Sequence, residues 1–445
     1  MNKKITLLSL IIMVTLFLFV FTPCFAVDRN DLNIEFFSRF NDDYLPQYVN
    51  EAIDNNHNAK QATIRVEEYR QSVKSQFANE LPSFSVSANY LGIHSPKFNP
   101  NLSVSKNAFV LPFIANYEAD FLLKNRDKTK SVQKTYEMSK FDEQSAYLAL
   151  LSDVATAYTN ILEYDKLIEE QEKIVNNYNQ ILNDDNKKLA RGIISTTELN
   201  KSKTNVEQAN IILENLIQQR EVLLMQFAVL IGRSADSANS IERGSIDNFK
   251  YNAVIPSEIE SDVIFSRPDV KRAEMALEKA KIDIRVARKE FLPKFNITGI
   301  WAFNTIAPGT FFSWESSLAA LLAGATQDIF SGGRKIAKLK YQKAKYEELF
   351  EQYRQVDLEA VKEVNTALCI IKHDTEIENK TKEKLLLETK NLNNADKMLN
   401  RGVISKTQHI NSENMYINKD MDLAKAKTRR LVNYYTLYKT VGGKL

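Results

Sequence analysis

Two stretches of the chain carry one pattern at length: apolar residues spaced alternately three and four apart, with polar residues between. From Leu122 to Ile231 the seam runs through Leu148, Leu151, Ala155, Tyr158, Leu162, Val175, Tyr178, Leu182 and Leu189. From Arg334 to Val441 it runs through Val361, Val364, Leu368, Ile371, Leu392, Ala395 and Leu399. Such spacing is a coiled-coil seam, which predicts helices packed antiparallel on whatever follows them. Neither stretch contains a proline, and each contains one glycine, Gly192 or Gly402, within the phrases Arg191-Gly192-Ile193-Ile194-Ser195 and Arg401-Gly402-Val403-Ile404-Ser405. The glycines are where two hairpins turn, and their offset, close to half the 445-residue chain, marks a duplication.

Each first arm, Leu122 to Arg191 and Arg334 to Arg401, would extend about 100 Å at 1.5 Å per residue. The return arms have matching seams (Val206, Ala209, Leu213, Leu216, Leu223, Phe227, Leu230; Ile417, Met421, Ala424, Leu431, Tyr435, Tyr438) but are about half as long. Two amphipathic segments, Leu45 to Glu80 and Glu258 to Phe291, supply the missing partner. In each repeat two short helices stack end to end beside one long helix, predicting a strut two helices thick.

Elsewhere the period drops to two. Phe84, Val86, Ala88 and Tyr90 alternate with Ser83, Ser85, Ser87 and Asn89. Phe109, Leu111, Phe113, Ala115, Tyr117, Ala119 and Phe121 oppose Asn116, Glu118 and Asp120, while Phe295, Ile297, Gly299, Trp301 and Phe303 oppose Lys294, Asn296 and Thr298. A fourth segment, Ser313 to Phe330, alternates poorly. Strands of about ten residues with one aromatic-rich face suit a transmembrane β-barrel. A half-buried soluble sheet has the same alternation. Four strands cannot close a barrel, since closed ones start at about eight, so subunits must share it.

Composition narrows the function. With 59 basic and 56 acidic residues, the formal charge of +3 and the absence of a basic run interleaved with aromatics give no reason to expect a nucleic-acid partner. Lys3 and Lys4, the apolar run Ile5 to Phe21 and small residues at Cys24 and Ala26 read as a signal peptide, residues 1–26, cleaved after Ala26. Pro23 argues against a lipidated Cys24. Cleavage would leave Cys369, whose helical spacing suggests a small buried hydrophobe. No later apolar run reaches 18 residues, so no transmembrane helix is expected. His57, His94, His373 and His409 lack metal-ligand spacing, and no phosphate-cradling loop, nucleophile elbow or CxxC is present. No catalytic, cofactor or metal site is expected, and the protein is read as a non-enzyme.

In this order and spacing the motifs resemble a family, the TolC-type outer-membrane efflux proteins, over about Leu45 to Val441. Arg267-Pro268-Asp269-Val270 with Ala273-Glu274 is similar to that family's start of the second repeat, and Gln327-Asp328-Ile329-Phe330-Ser331-Gly332-Gly333-Arg334 to its strand-to-helix turn. Leu81-Pro82 and Leu292-Pro293 match its helix-to-strand entries, and the two Arg-Gly phrases its hairpin tips. Departures exist: Asp120 to Arg126, the first strand-to-helix turn, lacks glycine, so a tighter or helically continued turn is expected. Acidic residues that close the periplasmic end in some relatives are replaced by Gln408 and Asn411.

The resemblance implies a mainly α fold: long coiled-coil hairpins forming a tunnel through the periplasm, plus four strands toward a twelve-stranded barrel shared by a homotrimer. It divides the chain into an N-terminal segment 27–44 and repeats 45–245 and 246–445. It implies a passive exit duct in the outer membrane, contacting its lipid, that works with a periplasmic adaptor and an inner-membrane transporter in tripartite efflux or type I secretion. The expected docking surface is the pair of tips: Arg191, Gly192, Ile193 and Ser195 with Arg401, Gly402, Val403 and Ser405. Gln408 and Asn411 are the aperture candidates. The alternatives are a periplasmic coiled-coil adaptor and a structural envelope protein.

Overall fold

A computed structural model describes residues 32–92, 107–305 and 313–445. The signal peptide, His94 and both inter-strand connections lie outside the described residues. The helices are α1 (Glu35–Ser38), α2 (Leu45–Asn55), α3 (His57–Ala78), α4 (Lys124–Ala190), α5 (Thr196–Leu230), α6 (Ser261–Phe265), α7 (Pro268–Lys289), α8 (Arg334–Asn400) and α9 (Lys406–Thr440). The strands are β1 (Ser83–Val86), β2 (Asn89–Gly92), β3 (Asn107–Ala119), β4 (Lys294–Thr305) and β5 (Ser317–Thr326).

The helices form a layer. Above the middle, α3, α4, α7 and α8 lie side by side; below it the order is α5, α4, α9, α8. Each 67-residue helix therefore runs beside a stacked short pair, as the seams predict, and α7 with α9 also bridges the two repeats. The seam residues Leu151, Ala155, Tyr158 and Leu162 are buried in α4, and Val364 and Ile371 in α8. Cys369 is a correction: it is exposed, because it sits two residues past Ala367 and off the stripe of Val364, Ala367 and Ile371 that meets the neighbouring helices.

The short helices are broken where the sequence suggested continuity. Asn56 leaves helical geometry at ψ 124°, its Oδ1 accepts from Ala59 N at 3.0 Å, and its Nδ2 donates to the Leu230 carbonyl at 2.8 Å. One side chain thus caps the start of α3 and the end of α5, joining the stacked pair. In the second repeat the break falls at Pro268, which begins α7, while buried Arg267 pairs with Asp269 and with Glu363 of α8, both at 2.7 Å.

At mid-height the segment before α2 plugs the layer. Leu32, Phe36, Phe37 and Phe40 are buried; Phe36 stacks on Tyr438 at 4.8 Å and Phe40 on Phe249 at 5.4 Å. Asn33 donates to the carbonyls of Gly443 and Leu445, both at 2.9 Å, so the two ends of the described chain meet here.

The sheet is antiparallel, in the order β1, β3, β4, β5, with β2 pairing on the same side of β3 as β1. β1 and β2 keep one register on β3, Ser83 opposite Asn116 and Asn89 opposite Val110, so they are one predicted strand interrupted at Ser87 and Ala88. The cause is Pro112: Ser87 N donates to its carbonyl at 3.2 Å, but proline has no N–H to return the bond. Four strands' worth of sheet results, including β5 within the poorly alternating segment.

Candidate functional site

The two tips have the same construction. Arg191 ends α4, Gly192 turns with φ 69°, and Ile193 N donates back to the Lys188 carbonyl at 2.9 Å; Gly402 has φ 72°, and Val403 N donates to Met398 at 2.9 Å. This paired return of N–H groups over a left-handed residue satisfies the last helical carbonyls. Each return helix then starts on a reciprocal cap. Ser195 Oγ accepts from Glu198 N at 3.2 Å, and Glu198 accepts from Ser195 N at 2.9 Å; Ser405 and Gln408 repeat both bonds at 3.2 and 2.9 Å. Two rigid turns leave Ile193 and Val403 projecting, each 64% exposed.

Gln408 is therefore committed to the cap of α9, a use the sequence reading missed although Ser405 and Gln408 have the capping-box spacing. Asn411 is exposed on the next turn. His409 meets Asp396 of α8 at 2.5 Å, a contact within its own hairpin.

Polar links join the hairpins above the tips. Buried Asn177 of α4 donates to Asn414 of α9 at 2.8 Å. Lys166 of α4 binds Glu170 at 2.9 Å and Asp420 of α9 at 3.0 Å; burial alone would lower its pKa, but these carboxylates raise it above the usual lysine value. Lys406, just past the second tip, lies 3.7 Å from Asp184.

At the opposite end, the register places Phe84, Val86, Phe109, Leu111, Phe113, Ala115, Tyr117, Phe295, Ile297, Trp301, Phe303 and Leu321 on one face of the sheet. Phe84 is 81% exposed and Leu321 77%. The other face is polar near the helices, with Glu118, Lys294, Asn296 and Thr298, and becomes apolar from Leu322, opposite Thr298, outward through Ile114, Ile300 and Leu318. That second apolar patch is why β5 alternates poorly.

The first strand-to-helix turn is tightened rather than helically continued: residues 120–123 join β3 to α4, where residues 327–333 join β5 to α8. Leu123 takes φ 55°, the left-handed role that Gly333 plays at φ 79° in the second repeat. Asp120 makes it possible: its carboxylate accepts from Lys124 N at 2.6 Å and Arg126 N at 2.9 Å, capping α4.

The model of the outer membrane efflux protein family matches residues 48–233 and 261–443. The chain belongs to that family. Among curated proteins, this outer membrane efflux protein is 24% identical to the cation efflux system protein CusC of Escherichia coli O157:H7, with 91% of this chain and 87% of that protein covered. It is also 24% identical to the outer membrane protein OprJ of Pseudomonas aeruginosa, covering 90% and 84%. Among solved structures, the open state of the MtrE outer membrane channel of Neisseria gonorrhoeae superposes with a TM-score of 0.82 at 21% identity, covering 94% of each chain. The membership puts the protein in the outer membrane and accounts for the exposed aromatic face of the sheet. It supports neither the adaptor nor the structural-envelope reading.

Proposed function

We propose that this chain is one third of a passive outer-membrane exit duct, a homotrimer with a twelve-stranded barrel and a periplasmic helical tunnel, working with an adaptor and an inner-membrane transporter. The observation that carries the reading is an open edge on each side of one continuous layer. On one side α8 exposes Ile336, Tyr341, Leu386 and Leu387; on the other α3 exposes Phe77 and Tyr69, and α5 exposes Ile211 and Ile212. Their heights match: Ile336 and Phe77 both lie at the sheet end, and Leu386 and Ile211 both lie roughly 22–24 Å from the tips at 1.5 Å per residue. A heterologous contact between such edges closes into a ring when its rotation completes a full turn. Three copies of four strands exceed the eight a closed barrel needs.

In this reading the repeats are 45–245 and 246–445, and no chemistry is catalysed. Ile193 and Val403 are the apolar contacts for the adaptor; Arg191, Gly192, Ser195, Arg401, Gly402 and Ser405 hold them out. The aperture lies beside Gln408 and Asn411. Opening shifts one hairpin against the other across Asn177–Asn414 and Lys166–Asp420. Cargo is chosen by the inner-membrane partner.

Purified protein in a planar bilayer should give stepwise conductance, larger when Asn414→Ala loosens the link between hairpins; silence from both would overturn the duct. In cells, Ile193→Asp with Val403→Asp should abolish export while trimers still reach the outer membrane. Normal export by that variant would overturn docking at the tips.

A further inference from the structure

Where the sheet meets the helices, a cavity of about 320 Å³ is lined by six cations, Lys124, Lys128, Lys294, Arg334, Lys335 and Lys338. Three have acidic partners: Lys124 meets Glu118 at 2.5 Å, Lys335 meets Asp328 at 3.2 Å and Lys338 meets Glu290 at 2.5 Å. The other three, Lys128, Lys294 and Arg334, make no ion pair among the described residues; Lys128 has only the Asn125 side-chain carbonyl at 3.4 Å. Burial, with the charges of Lys124 and Lys294 added, holds the Lys128 ammonium below its usual pKa against the opposing influence of Glu118 and Glu290. The lining holds two carboxylates, Glu290 and Asp328, against the six cations, and with Glu118, the partner of Lys124, counted as well the cations still outnumber the acids by three.

The cavity opens on the polar side of the sheet. Lys294 and Thr326 are register partners, and Lys294 shares a face with Glu118, Asn296 and Thr298, opposite the face of Phe295, Ile297 and Trp301. In a membrane barrel the apolar face meets lipid and the polar face meets the water-filled interior. Lys294, and the cavity it lines with the other cations, therefore lie on the side of the cargo route.

We propose that these residues form an anion-binding collar at the junction of barrel and tunnel, repeated in each protomer, that takes solutes bearing phosphate or carboxylate groups. This rests on the duct reading for its place along the route. Unpaired ammonium and guanidinium groups facing one water-filled cavity supply charge-assisted hydrogen bonds to such oxygens, and a ring of them raises the local anion concentration.

The test uses inorganic tripolyphosphate and detergent-solubilised full-length protein, read by phosphorus NMR. The wild type should broaden the ligand's lines at low salt, and the triple variant Lys128→Gln, Lys294→Gln, Arg334→Gln should lose about tenfold in affinity. A control removing the same number of exposed charges far from the cavity, Lys372→Gln, Lys384→Gln, Lys390→Gln, should bind as the wild type does. Equal broadening by wild type and triple variant would overturn the collar. Phospholipid that co-purifies with the wild type and is missing from the triple variant would overturn the assignment to a solute. In a planar bilayer, tripolyphosphate should lower wild-type conductance and leave the triple variant unaffected. Silence from both the wild type and Asn414→Ala overturns the duct, while the NMR result decides the collar separately.

Discussion

At the residue scale, Leu123 stands out because a branched side chain occupies the left-handed region, at a cost of about 1–2 kcal/mol. Leu123→Gly should raise stability by about 1 kcal/mol in a denaturant titration, since glycine's extra unfolded-state entropy offsets part of the relief. A second residue titrates. Burial raises the pKa of Glu163 in α4 above its ordinary 4.5, against the lowering influence of Thr428 and Lys425 on α9. A carboxyl whose folded pKa is raised contributes stability below its unfolded pKa and loses it as pH rises through the folded value. Glu163→Gln should therefore match the wild type's melting temperature near pH 4 and exceed it at neutral pH. An unchanged difference across that window would sink the assignment. None of this local chemistry was legible in the sequence. A missing glycine announced an unusual turn at Asp120 to Arg126, but whether Leu123 or a helical continuation made it depended on where the Asp120 carboxylate pointed.

At the element scale, periodicity served well because a seam is repeated many times over, so one misread residue changes little. The long helices, the return helices and three strands were legible for that reason. Single-residue events were not. The break at Asn56 is one polar residue in an amphipathic stretch, and its second function, holding the Leu230 carbonyl, joins residues far apart in sequence. Pro112 was visible, but its effect on Ser87 needed the register. The Phe36, Phe37 and Phe40 cluster was also hidden, since too few residues precede α2 to establish a period. Asn56 gives this scale its prediction. Asn56→Ala removes a cap and strands a carbonyl, and should cost about 2–3 kcal/mol in chemical denaturation. Asn56→Ser keeps the cap and should cost about half as much. Equal losses would mean that the bond to Leu230 contributes nothing.

At the scale of the whole molecule, the tips are legible from the repeated phrase, while the reciprocal caps that follow it came from the structure. Their partner is not, because Ile193 and Val403 state only that something apolar is met. The lateral edges are the reverse case. No motif marks them; their exposed apolar residues look in sequence like ordinary helix positions, and only the order of helices in the layer shows that α8 on one side and α3 with α5 on the other have no neighbour. If those edges meet between copies, charge placed on one of them should separate the protomers without unfolding them. Leu386→Glu with Leu387→Glu puts two carboxylates opposite Ile211 and Ile212 of the next copy, where each would lose hydration without gaining a partner. Native mass spectrometry in detergent should show monomers for this variant and trimers for the wild type, with circular dichroism unchanged because the substituted residues are about 57–58% exposed in the single chain. Ile211→Lys with Ile212→Lys added to the same chain should restore trimers by supplying the opposite charge across that contact. Trimers from the glutamate variant alone would show that the ring closes through other surfaces, and a failure of the lysines to rescue would show that α5 is not what α8 meets.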